Sequence, residues 1–140
     1  MDPIKLTDDY FVLPQIAELD VAELASLGFD IIVNNRPDNE SEGQPLSADL
    51  AQKSADLGVE YVYNPIDLSK LSQTNLDVQQ EVLSSGKKVL AFCRTGTRSS
   101  VLWVLNNQVE YGFDTLVEKV SGKGFDLARC LPAMEPFRKA

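Results

Sequence analysis

Val89-Leu90-Ala91-Phe92-Cys93-Arg94-Thr95-Gly96-Thr97-Arg98-Ser99-Ser100 is the stretch that decides how this chain reads. Four apolar residues of strand type lead into a cysteine. A small polar loop follows, closed by an arginine, and then a helix begins. Loop N–H groups converging on one point, the partial positive charge of a helix N-terminus and a guanidinium fork together make an anion cradle around a thiol. The same field favours the thiolate, which is the nucleophilic form. Cys93 and Arg98 are therefore the candidate catalytic residues. Arg94, Thr95, Gly96 and Thr97 are the candidate anion-binding residues beside Arg98. Gly96 supplies a position without Cβ where a ligand must approach the backbone. Ser99 or Ser100 is expected to cap a helix over 101–108. The bare spacing Cys-x-x-x-x-Arg carries little on its own; the strand before it and the loop chemistry carry the inference.

Working outward, the chain alternates short apolar runs with helical segments. Tyr10-Phe11-Val12-Leu13 reads as a strand, then a helix over 21–27 that Gly28 ends, then a buried strand at 30–34. Residues 35–45 form a long polar loop. A helix capped by Ser47 spans 48–57, a strand spans 59–63, and a helix capped by Ser72 or Thr74 spans 76–84. After the strand at 89–92 and its helix, Tyr111-Gly112 breaks the chain. Asp114 caps a helix over 115–120, and 127–138 is mostly helical with Pro132 as an interruption. This alternation predicts an α/β single domain with a mostly parallel central sheet flanked by helices. In such sheets ligands bind at the carboxyl ends of the strands. Three of those ends, at Cys93, at Asn34-Asn35-Arg36 and at Asn64-Pro65-Ile66-Asp67, are expected to meet in one pocket.

With 140 residues the chain is long enough for one domain with a proper core. The formal net charge is −8 and the pI about 4.5. No basic patch is visible, so neither nucleic acid nor an anionic membrane is expected as a partner. No run of 18 apolar residues marks a transmembrane helix. The N-terminus lacks a signal-peptide pattern, which points to the cytoplasm; a chain already freed of a signal would look the same, so the periplasm stays open as the alternative. The chain has no histidine. That removes Cys–His and Ser–His pairs and histidine-based metal sites, leaving backbone, dipole and arginine to activate Cys93. No metal or cofactor is called for. Cys130 reads as a half-buried structural cysteine, with a resolving thiol or a disulfide half as alternatives.

Three further positions have two readings each. Asp67 follows a strand and could protonate a leaving oxygen as general acid, or cap a turn. Arg36 could bind the anion or orient the loop, or form a surface salt bridge. Ser99 could donate to the Cys93 sulfur as well as cap the helix.

Asn34-Asn35-Arg36-Pro37-Asp38, Gly43-Gln44-Pro45, Cys93-Arg94-Thr95-Gly96-Thr97-Arg98-Ser99 and Leu102-Trp103 together resemble the bacterial family of phosphatase-like domains found alone or fused to beta-lactamase-like hydrolases. The resemblance runs from Ile4 to Trp103 and beyond. It implies a fold like that of dual-specificity protein tyrosine phosphatases, with Cys93 as nucleophile and Arg98 as the anion-binding arginine. It places Asp67 in the region of the general acid. The chain departs from that pattern twice. Phe92 stands where such phosphatases have histidine, and four residues, not five, separate Cys93 from Arg98. A four-residue spacing is similar to the loop of rhodanese-type sulfurtransferases.

Weighing loop length most heavily gives sulfur transfer through a Cys93 persulfide as the first expectation. Its substrates would be thiosulfate or a persulfide, with a thiol, including a protein thiol, as acceptor. Hydrolysis of a phosphate ester through a phosphocysteine is the alternative, with Asp67 as acid and Ser99 assisting. A non-catalytic anion-binding or redox-sensing module is the third. Both catalytic readings, and the anion-binding form of the third, take a small anion at the Cys93 loop.

Overall fold

The structure is a computed structural model that describes residues 1–139. Five strands form one sheet: β1 (Ile4–Thr7), β2 (Tyr10–Leu13), β3 (Ile31–Asn34), β4 (Glu60–Tyr63) and β5 (Val89–Phe92). Their spatial order is β1-β2-β5-β3-β4. The pairs β2–β5, β5–β3 and β3–β4 are parallel, while β1 runs antiparallel to β2 at the edge. The α/β architecture expected from the alternation is present. The edge strand β1 was not anticipated. Only one of its four residues, Leu6, is buried, so the run lacks the apolar signal of the inner strands.

Six helices cover the sheet: α1 (Glu18–Ser26), α2 (Ser47–Asp56), α3 (Gln73–Leu83), α4 (Thr97–Tyr111), α5 (Phe113–Gly122) and α6 (Leu131–Met134). The inner strands alternate between the two faces. On β5, Val89 and Ala91 pack into the core shared with α3 to α6, where Leu102, Trp103, Val104 and Val120 lie. Leu90 and Phe92 pack into the opposite core with Val21, Leu24 and Leu50 of α1 and α2. Both faces of β5 are thus dry, which explains an unbroken apolar run in place of strict alternation. Trp103 and Phe113 are core residues, as their surroundings in sequence suggest.

Helix boundaries differ where capping chemistry misleads. α4 starts at Thr97 with Gly96 as N-cap, so neither Ser99 nor Ser100 caps it. Ser100 instead donates from its hydroxyl to the Gly96 carbonyl at 2.9 Å, and both serines are buried in the first turn. α5 starts at Phe113 with Gly112, not Asp114, as its cap. Ser47 is the first residue of α2 rather than its cap; its N–H donates to Asp38 Oδ1 at 2.8 Å. Ser72 does cap α3, accepting from Asn75 N–H. The C-terminal segment is less helical than expected: α6 has four residues, and a 3₁₀ turn follows at Glu135–Phe137.

Candidate functional site

Parallel strands put their carboxyl ends on one side, and the loops leaving β2, β3, β4 and β5 meet there. Backbone bonds stitch them together. Asn35 N–H donates to the Phe92 carbonyl at 2.8 Å, Asn64 N–H to Asn34 at 2.9 Å, Ile66 N–H to Asn35 at 2.9 Å, and Gln15 N–H to Arg94 at 3.2 Å. The three strand ends named from the sequence are therefore neighbours.

Cys93 sits one residue past β5 and is fully buried. Its Sγ accepts the Gly96 N–H at 3.1 Å. Gly96 holds φ at +94°, and a Cβ there would lie 2.6 Å from Phe125 Cε1 and 2.9 Å from Val12 Cγ1. The loop thus needs glycine for its backbone and for its space. α4 opens directly from this residue, so its N-terminal dipole points at the loop. Thr95 and Thr97 join through their hydroxyls at 3.0 Å. Arg94 is exposed, and its carbonyl ties the loop to Gln15.

Arg98 lies in the first turn of α4. Its Nη1 donates to Glu40 Oε2 at 2.7 Å and to the Ile66 carbonyl at 2.9 Å, and its Nη2 donates to Glu40 Oε1 at 2.7 Å. The Glu40 carboxylate, and after it the Cys93 sulfur, raise the Arg98 pKa against the opposing effect of burial. Glu40 also accepts from Arg36 Nε at 2.9 Å. Arg98, then Arg36, hold the Glu40 carboxyl down to about 2, against a smaller upward push from burial. Arg36 is only 4 % exposed, and its other nitrogens donate to Gln15 and Ser41. Its ion pair with Glu40 is buried on the arginine side and part-exposed on the glutamate side, and it ties the loop after β3 together from inside the protein.

Ser99 Oγ donates to Asn35 Oδ1 at 2.9 Å, not to the Cys93 sulfur. The Ser99 carbonyl accepts from Tyr10 Oη at 2.9 Å, and Tyr10 Oη accepts from Gln79 Nε2 at 2.9 Å. Gln79 Oε1 in turn accepts from Asn64 and Asn35. Burial pushes the Tyr10 hydroxyl well above the ordinary phenol range, so it stays protonated and can donate. Asp67 is exposed. Its Oδ1 accepts from Ser69 Oγ and from Ser69 N–H at 3.0 Å, capping the 3₁₀ turn Leu68–Lys70. These bonds hold its carboxyl below the usual carboxylate value. Asp67 directly follows Ile66, whose carbonyl Arg98 holds, so the residue stands at the rim of the site. Cys130 is buried, and burial raises its thiol.

Sequence reasoning missed Glu40, Gln15, Tyr10 and Gln79. Glu40 shares its loop with Asp38 and Glu42, and nothing in the pattern selects among three acids. Tyr10 and Gln79 lie on a strand and a helix read only for burial, and Gln15 lies in the short loop between β2 and α1, where nothing in the pattern marks it.

A cysteine after the central strand of a mixed five-stranded sheet, a glycine-dependent loop and an arginine in the first turn of the next helix define a protein-tyrosine-phosphatase-like domain. The chain belongs to the family described as the beta-lactamase hydrolase-like protein, phosphatase-like domain, whose model matches residues 2–110. A beta-lactamase hydrolase-like protein of Agrobacterium fabrum is 27% identical over 130 residues, covering 91% of this chain and 30% of the relative. The chain thus spans about a third of that curated relative. A candidate phosphatase of known structure from Neisseria meningitidis superimposes with a TM-score of 0.83 at 28% identity, over 96% of this chain and 97% of the other. TpbA from P. aeruginosa, solved in complex with pTyr, shares the fold with a TM-score of 0.70 at 16% identity, over 99% of this chain and 83% of the other.

These relatives correct the expectation of sulfur transfer. The matching family and the Neisseria structure are phosphatase-like, and thiosulfate, persulfides and a thiol acceptor fall away with that reading. The physical reason is that loop length misleads. Because α4 begins inside the motif, at Thr97, four intervening residues still bring Arg98 beside Cys93.

Proposed function

We propose that the domain hydrolyses phosphate monoesters through a Cys93 phosphocysteine. The observation that supports this best is the placement of Cys93 Sγ under the Gly96 N–H, at the N-terminus of α4, with Arg98 alongside. Such an arrangement stabilises anionic charge as it develops on a transferring phosphoryl group. The Cys93 thiolate attacks phosphorus, and the ester oxygen leaves with a proton. Water then breaks the S–P bond, releasing inorganic phosphate and restoring the thiolate.

Asp67 is the proposed proton donor, because it stands beside the Arg98 anchor at the rim and keeps Oδ2 for a leaving oxygen. Loop amides of residues 94–97 and the Arg98 fork hold the phosphoryl oxygens. Arg36 acts behind them by fixing the loop that carries Glu40. Ser99 acts through Asn35 rather than on the sulfur. A small dianionic ester is the substrate class, in line with the pTyr complex of TpbA.

The test is turnover of a chromogenic aryl phosphate by wild type and Cys93→Ser. Activity above the variant supports the reading; equal rates overturn it.

A further inference from the structure

A guanidinium has five N–H groups. In Arg98 three are assigned: the two along the Nη1/Nη2 end meet the Glu40 carboxylate, and the outer Nη1–H meets the Ile66 carbonyl. The remaining two, Nε–H and the outer Nη2–H, run parallel along one side edge. That edge is a ready fork for two oxygens of a tetrahedral or trigonal anion. Glu40 and Ile66 hold the guanidinium along two of its edges, and these bonds set the direction of the third.

The loop that delivers Glu40 is itself braced. Gln44 Oε1 accepts from Glu40 N–H at 3.1 Å and Ser41 N–H at 3.3 Å, while Gln44 Nε2 donates to the Pro37 carbonyl at 2.9 Å. Asp38 anchors the loop twice, receiving Ser47 N–H and donating its own N–H to Tyr63 Oη at 2.9 Å. Asn39 takes a left-handed turn at φ 66° just before Glu40, a conformation asparagine tolerates better than most residues. Buried Arg36 holds Glu40 Oε1 from the far side.

We propose that Glu40 is a positioning residue that aims the side edge of Arg98 at the transferring phosphoryl group. The inference rests on the phosphatase reading. The opposite role for the same ion pair is a competing anion that substrate must expel, and the two roles predict opposite outcomes.

Orthovanadate and inorganic phosphate, titrated by calorimetry against wild type, Glu40→Gln and Glu40→Asp, separate them. Both anions respond to the net charge of the site. Vanadate on the Cys93 sulfur takes the trigonal shape of the transition state and needs an aimed fork, so the ratio of the two affinities isolates orientation. Wild type should prefer vanadate. In Glu40→Gln that preference should fall about tenfold, the scale of one charge-assisted hydrogen bond. Glu40→Asp, which keeps the charge on a shorter arm, should retain part of it. An unchanged preference in Glu40→Gln, or tighter binding of both anions by one factor, overturns the positioning role. Should the glutamine variant fail to fold, Glu40→Asp decides alone: an intermediate preference supports the proposal and a wild-type preference overturns it. Turnover of aryl phosphate with an unmoved preference overturns this inference only. A wild type with neither turnover nor preference overturns the phosphatase reading and the inference with it.

Discussion

Ser99 and Asn35, 64 residues apart, meet in a buried 2.9 Å hydrogen bond that fastens the first turn of α4 to the end of β3. Tyr10 approaches the same turn from β2, donating to the Ser99 carbonyl while accepting from Gln79. The Cys93 loop is therefore gripped from behind by polar groups that have no water to fall back on. Such groups are costly to orphan, and that cost makes the grip specific.

Tyr10→Phe removes one hydroxyl and leaves the Ser99 carbonyl and Gln79 amide without it. A loss of about 1–3 kcal/mol is expected, seen as a lower urea midpoint with an unchanged slope. A midpoint equal to wild type would show that other groups or water replace the hydroxyl.

Gly96→Ala meets two obstacles at once, a φ of +94° and a Cβ contact with Phe125 Cε1 at 2.6 Å. Left-handed strain and overpacking each cost about 1–3 kcal/mol. The Gly96 N–H would also leave the Cys93 sulfur as the loop shifts. Aryl phosphate turnover should drop at least tenfold even at temperatures where the variant stays folded by circular dichroism.

Asp67→Asn tests the proton donor. Loss should grow with the basicity of the leaving group, to about 100-fold for phenyl phosphate, the range of general acid catalysis, and should be slight for an activated nitrophenyl ester. The bonds from Ser69 hold the Asp67 carboxyl low, so the acid form prevails only at low pH. The wild-type rate should therefore fall as pH rises above that lowered value, and the variant should lack this limb. Equal losses for both esters would remove Asp67 from the proton-transfer step.

Glu40 sets a pH dependence of stability. Its folded pKa of about 2 lies below the ordinary 4.5. The unfolded chain takes up the proton first as pH falls, so the stabilisation is complete above the ordinary value and disappears as pH drops through about 2. With the carboxylate 31% exposed, solvent screening limits the effect to roughly 1–2 kcal/mol. Denaturation midpoints between pH 5 and pH 2 should decline less steeply in Glu40→Gln than in wild type.

Much of the fold was legible because the inner strands are dry on both faces and the helices end at glycines. Val89 to Phe92 could be nothing but a buried strand followed by a polar loop, and Cys93 and Arg98 came with it. Capping was harder to read. Ser99 and Ser100 have the chemistry of caps, yet they sit inside the first turn of α4 because Gly96 alone can adopt the left-handed conformation that starts it. β1 was illegible because an edge strand needs only one buried residue. The chemistry was misread for a related reason: counting residues between Cys93 and Arg98 treats the loop as a ring, whereas Thr97, the last of the four, already belongs to α4 together with Arg98 itself. Glu40 left no local trace because its meaning lies entirely in two arginines, one of them 58 residues away.

The polar grip on the loop has a temporal side. Tyr10 reaches Ser99 across 89 residues and Gln79 across 69. Contacts of such separation form only after the chain has closed its large loops. Local helix is regained sooner. A refolding chain should recover its far-ultraviolet circular dichroism before it recovers the proposed turnover, so that turnover would report the completion of topology.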